Sequence, residues 1–184
     1  MQLRRRVLIL RALGVLLAAL PAAGCTAQPA AGPPRAAAFN PTDTAWIQLM
    51  IPMDERARLL TGLAPARAGD PALARLAARA DAGLEDDLAG LRRLMELSGV
   101  PDTRPHEGHD MPGMVTLGAV RRAGTATGKE FDRIFTDSLR AHLAQSRKLC
   151  ASERTSGGAE EAGRLAAAIG GRAAELITRL DALR

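Results

Sequence analysis

The chain has 184 residues, with 25 Lys and Arg against 20 Asp and Glu and only 2 cysteines. Arg4, Arg5, Arg6 and Arg11 all fall in the first 24 residues, so the remainder carries 21 basic against 20 acidic groups, a balance that does not suggest the basic face a nucleic acid needs. After Cys25 the next and last cysteine is Cys150, which excludes an intramolecular disulfide beyond the leader and leaves stability to an apolar core.

The opening "MQLRRRVLILRALGVLLAALPAAGC" places three arginines before an apolar run from Val7 to Leu20, then small residues up to Cys25. Residues 1–24 are expected to be a signal peptide and not a membrane span. Ala22-Ala23-Gly24-Cys25 looks like a lipobox, with Ala22 where Leu or Val is usual, so Cys25 is expected to be the first mature residue and to carry lipid. That would anchor the protein to the outer face of the cell membrane; without the lipid it would be secreted. The arginine run is also loosely compatible with twin-arginine export. Residues 26–38, "TAQPAAGPPRAAA", lack apolar periodicity and read as a flexible tether.

The folded domain is expected over residues 39–184. "FNPTD" offers Asn40 as N-cap, Pro41 at the first helical position and Asp43 in the first turn. Trp46, Leu49, Met50, Met53, Ala57 and Leu60 then follow helical spacing, with a kink expected at Pro52. Asp70-Pro71 starts a second helix whose inward face is Leu73, Leu76, Ala80, Leu84, Leu88, Leu91 and Met95, ending at Gly99. Val100 to Val115 contains three prolines and reads as a crossing loop, followed by a short helix from Thr116 to Ala123. A third long helix is expected from Lys129 to Glu153, with Phe131, Ile134, Phe135, Leu139, His142 and Leu149 inward. The fourth runs from Ala159 to Leu183, burying Leu165, Ile169, Leu176, Leu180 and Leu183. No segment alternates with period two, so the fold class is all-α, a four-helix bundle.

The four helices form two hairpins with a common layout. Asp43 to Met53 and Asp132 to His142 span equal lengths, and Trp46 and Phe135 each lie three residues after the Asp. The hairpins read as copies of one unit, packed together because a single helical pair cannot close a core.

"HEGHDMPGMVT", from His106 to Thr116, and "GKEFDRIF", from Gly128 to Phe135, resemble the domain of unknown function 305 family of exported bacterial proteins. That resemblance covers Phe39 to Leu183 and implies a ferritin-like bundle. The family's hairpins open with a segment similar to "D..F...MI.HH"; this chain has Met53-Asp54 in the first and His142-Leu143 in the second, so three of four histidines are missing. Where family members resemble "Q..EI" in the second helices, this chain has Leu84, Asp87 and Leu88, then Arg172, Glu175 and Leu176. An intact family-type metal site is therefore not expected.

What remains is a set of candidate ligands. His106, His109, Met111 and Met114 put two imidazoles and two thioethers into one loop, a set soft enough for copper. His142 is the remaining helical candidate, with Met53, Asp54, Asp87 and Glu175 able to contribute. The competing reading makes His142 a core histidine, Met53 core filling, Asp54 and Glu175 solvated charges, and the loop a structural crossing pinned by its methionines. Catalysis is not expected: Glu-x-x-His, phosphate-binding glycine loops and a Ser-His-Asp arrangement are all missing from the sequence. Cys150 reads as a small buried hydrophobe. The two functional expectations are an envelope lipoprotein with residual copper binding at the loop, or a metal-free scaffold for a protein partner.

Overall fold

The computed structural model describes residues 39–183, so the signal peptide, Cys25 and the tether lie outside the described residues. Among the described residues six helical segments occur: α1 (Pro41–Thr61), α2 (Ala64–Arg67), α3 (Pro71–Ser98), α4 (Leu117–Thr125), α5 (Gly128–Ser156) and α6 (Glu160–Asp181). No strand is found among the described residues, only an isolated bridge between Ala68 and Gly128, and the fold is all-α.

The helix starts follow from local chemistry. The Asn40 side chain accepts from the Thr42 and Asp43 N–H groups at 2.8 and 3.1 Å, and Asp43 accepts from the Asn40 N–H, closing a capping box. Asp70 accepts from Ala72 N–H at 2.7 Å at the head of α3, which ends at Gly99 in the left-handed region, φ 67°. The helix α1 runs through Pro52 without a break, and Pro52 is buried. The short α2 over "APAR" has no counterpart in the expected elements. Leu183, expected inward, is 38 % exposed because α6 stops at Asp181 and the last residues fall beyond its final turn.

Within each hairpin α1 packs on α3 and α5 on α6; between them α1 packs on α5 and α3 on α6. Fully buried Ile47, Leu60, Leu91, Leu139 and Phe131 fill the interior, each stabilising the fold by roughly 1.5–3 kcal/mol in area terms. Phe131 and Phe135 stack with centroids 5.6 Å apart.

The repeated aspartates hold the two hairpins to each other. Asp43, at the head of α1, accepts from the Gly158 and Ala159 N–H groups at 3.0 Å, at the head of α6. Asp132, near the head of α5, accepts from the Gly69 and Asp70 N–H groups at 2.9 and 3.1 Å, at the head of α3. Each hairpin therefore caps the second helix of the other, satisfying N–H groups that a helix leaves open at its start. Gly69 has to be glycine: a Cβ there would come within 2.7 Å of Gly128 Cα.

Candidate functional site

The apolar interior is divided into two parts, and the division falls where the sequence turns polar on every long helix. On α1, Asp54 lies between Ile51 of one part and Ala57 of the other; on α3, Asp87 lies between Leu88 and Leu84. On α5, His142 and Ser146 precede Cys150, and on α6, Arg172 separates Ile169 from Ala173. Asp54 and His142 are each 1 % exposed and Asp87 5 %. These are the positions at which the two hairpins bear the family-like segments.

The layer closes on itself through two contacts. His142 Nε2 lies 3.4 Å from Asp54 Oδ1, and the Arg172 guanidinium pairs with Asp87. Burial pushes the Asp54 carboxyl above its ordinary range, against the attraction of His142 and Arg172. Asp54 Oδ2 and His142 Nδ1 find no hydrogen-bond partner within the protein. Ser146 donates to the His142 carbonyl at 3.0 Å, a bond within α5 that does not involve the imidazole. Met53 is fully buried beside Asp54 in sequence. Glu175, by contrast, is exposed on α6 and ion-paired with Arg179 at 2.7 Å. Of the two acids weighed as solvated charges, Glu175 is one and Asp54 is not.

Arg172 is the residue that sequence reasoning missed. In the sequence it reads only as the loss of a glutamine, whereas its long side chain reaches from a half-buried position to neutralise the buried Asp87.

The loop is fixed at both ends and carries its histidines outward. On one side, Arg104 binds Glu55 at 2.5 Å and Glu107 at 2.8 Å, with Arg92 also on Glu55 at 2.9 Å. Burial would raise Glu55, but the hydrogen bonds from Arg104 and Arg92 outweigh it and hold the carboxyl low. On the other side, Asp110 accepts from Arg56 at 2.8 Å. Gly113, at φ 77°, lies flat on α5: a Cβ would overlap the Gln145 side chain and stand 3.1 Å from the Ala141 carbonyl oxygen. The "PGM" part of the motif thus rests on α5 at the turn that bears His142.

The loop ligands divide accordingly. His109 is exposed, His106 and Met111 are half-buried, and Met114 is buried at 5 %. A turn closed by His109 N–H to the His106 carbonyl at 3.3 Å holds the two histidines close along the chain. Asp110 is already committed to Arg56, and Met114 belongs to the core. Among the described residues no group of three or more His, Cys, Asp or Glu side chains could hold a metal ion. The structure does not bring His142 and the loop histidines into one such group.

Cys150 is 1 % exposed and its thiol is pushed up to about 12, first by burial and then by the neighbouring Asp54 and Glu153 charges. A thiol so protonated is inert: iodoacetamide at pH 8 should leave Cys150 unlabelled in the folded protein and label it in denaturant. Stoichiometric labelling without denaturant would refute the burial.

The same fold occurs in solved structures. A domain of unknown function 305 fragment from Deinococcus radiodurans aligns with a TM-score of 0.70 at 16% identity, over 79% of this chain and 96% of its own. A Streptomyces coelicolor protein of the same family, described as secreted, gives 0.70 at 18%, over 77% and 91%. CopM in its Cu(II)-bound form gives 0.68 at 20%, over 77% and 94%. Among curated proteins none matches in sequence. The family model for the domain of unknown function (DUF305) matches residues 43–184. With its "HEGHDMPGM" loop, its paired hairpins and that match over most of its length, the chain belongs to the DUF305 family.

Proposed function

We propose that this protein is an exported, non-enzymatic, ferritin-like four-helix bundle, tethered by lipid on Cys25 to the outer face of the cell membrane, whose central loop takes up copper in a weak, exchangeable way. The observation that carries the reading is the framing of the loop: Arg104, Asp110 and Gly113 fix its course while His109 stays exposed and His106 and Met111 half-exposed. Two imidazoles and a thioether form a donor set suited to copper, and the framing lowers the ordering cost of binding. The copper-bound state of CopM, a protein of the same fold, supports this choice of metal. Met114, being buried, and Asp110, being held by Arg56, stand outside the set.

The second reading, a metal-free module for a protein partner, is favoured by the central layer. Its two buried carboxylates are already answered by His142 and Arg172. A metal entering there would have to displace His142 from Asp54 or Arg172 from Asp87.

Titrating residues 26–184 with Cu(I) and Cu(II) beside a His106→Ala/His109→Ala/Met111→Ala variant separates the two readings. The variant should bind at least about tenfold more weakly, a difference on the order of 1.4 kcal/mol. Equal binding by both proteins ends the loop proposal, and loss of copper only in His142→Ala would move the metal into the core. For the anchor, Cys25→Ser should shift the protein from the membrane fraction to the soluble one.

A further inference from the structure

Where α1 begins, two carboxyl groups lie together inside the protein. Asp43 is fully buried and Glu153, on the last turns of α5, is 1 % exposed. Asp43 accepts from the N–H groups of Asn40, Gly158 and Ala159, and the Glu153 carboxyl lies against the same turn, at Gly157. Among the described residues, no N–H or O–H group donates to either carboxyl oxygen of Glu153. Gly157 packs so tightly against Glu153 that a Cβ there would overlap the carboxyl, which shuts the Glu153 side chain in from above.

The charges around the pair come from three helices. α1 supplies Asp43 alone; α5 supplies Glu153 and, on the open side, Arg154; α6 supplies Glu160 and Arg164, which pair with each other. α3 brings Leu91 and Leu94 to this part of the core. Among the described residues no cation pairs with Glu153. The N–H groups of the α6 head surround Asp43, so the place is electropositive toward a metal ion and suited to a proton held between two acids.

We propose that Asp43 and Glu153 form a proton-operated lock: one proton between them binds the start of α1 to the turn joining α5 and α6, and its removal by base releases that end of the domain. The Glu153 O–H donates to the Asp43 carboxylate; when the proton leaves, two buried anions face each other and the Gly158 and Ala159 N–H groups lose a well-placed acceptor. The entering chain is coupled to the same spot, since Asn40 Nδ2 donates to the Ser156 carbonyl at 2.9 Å. Burial, together with the hydrogen bond and charge of Asp43, raises Glu153 from 4.5 to about 8. A raised acid holds its proton in the folded state after the unfolded state has lost it. Stability therefore falls as pH rises from about 4.5 to about 8 and levels off above, while the lock itself opens near the upper value.

Hydrogen exchange of the full-length chain in detergent, corrected for intrinsic rates, tests the lock. From about pH 6 to about pH 9.5, protection of the Gly158 and Ala159 amides should fall about tenfold or more in the wild type and stay level in Glu153→Gln, whose amide donates to Asp43 at every pH. Level protection in the wild type, or an equal fall in both proteins, overturns the proposal. The wild type also serves without any substitution: the Glu153 carboxyl carbon should titrate in NMR with a midpoint above 7, and a midpoint below 5.5 rules the lock out.

Discussion

Asp43→Ala should lower the unfolding free energy by about 3 kcal/mol and Asp132→Ala by about 2 kcal/mol, measured by urea unfolding near pH 6. The first loss combines the capping box of α1, worth about 1 kcal/mol, with two charge-assisted bonds to the head of α6. The second combines two such bonds to the head of α3, in a half-buried setting more open to water. A change below about 0.5 kcal/mol in either variant would show that the head-of-helix N–H groups are satisfied by solvent. The double variant should be close to the sum, because the two aspartates cap different helix heads and share no partner.

The second large effect concerns the polar layer, and its sign is the informative part. Met53 stands in the first hairpin where His142 stands in the second, and Leu143 where the first has Asp54. Replacing Asp54 by Leu and His142 by Met together makes each hairpin resemble the other. Two desolvated groups joined by one long contact of 3.4 Å then give way to apolar side chains of similar size. The double variant should be as stable as the wild type or more so, by up to about 2 kcal/mol. Asp54→Leu alone should cost about 2 kcal/mol, since it leaves the His142 ring with neither nitrogen paired. A double-mutant cycle in urea measures both, and a double variant less stable than either single one would show that the layer is needed for the fold. The pH dependence gives an independent check. With Asp54 raised above 3.8, stability should decline as pH climbs from about 4, and the double variant should lose that part of the slope.

The sequence carried the helices well because their signals are local. Asn40-Pro41 and Asp70-Pro71 announce starts, Gly99 a stop, and the three-and-four spacing gives the inward faces. The partners of Asp43 and Asp132 were out of reach for the opposite reason: a carboxylate that caps a helix 115 or 62 residues away leaves no periodic trace. Asp43 therefore reads locally as a first-turn charge. In the candidate site, His142 was legible as inward and Met53 as core filling, but whether Asp54 faced water or the interior depends on which face α1 turns to α5. Met114 has the ligand chemistry of its motif and the burial of a core residue, and composition cannot separate the two. Gly113 was legible as loop-forming, though its close seat on α5 emerges only when Gln145 is brought beside it.

The reciprocal capping by Asp43 and Asp132 has a consequence for how the protein is made. A chain synthesised from its N-terminus completes α1 and α3 long before Asp132 exists, so the first hairpin waits with the Gly69 and Asp70 amides unanswered. The second hairpin arrives carrying that missing acceptor and needing one in return, which Asp43 already holds ready at the other end. Neither half is finished by its own residues. If the halves of two different chains met first, the same exchange would join them instead, and the price of a sound monomer is that each chain find itself before it finds a neighbour.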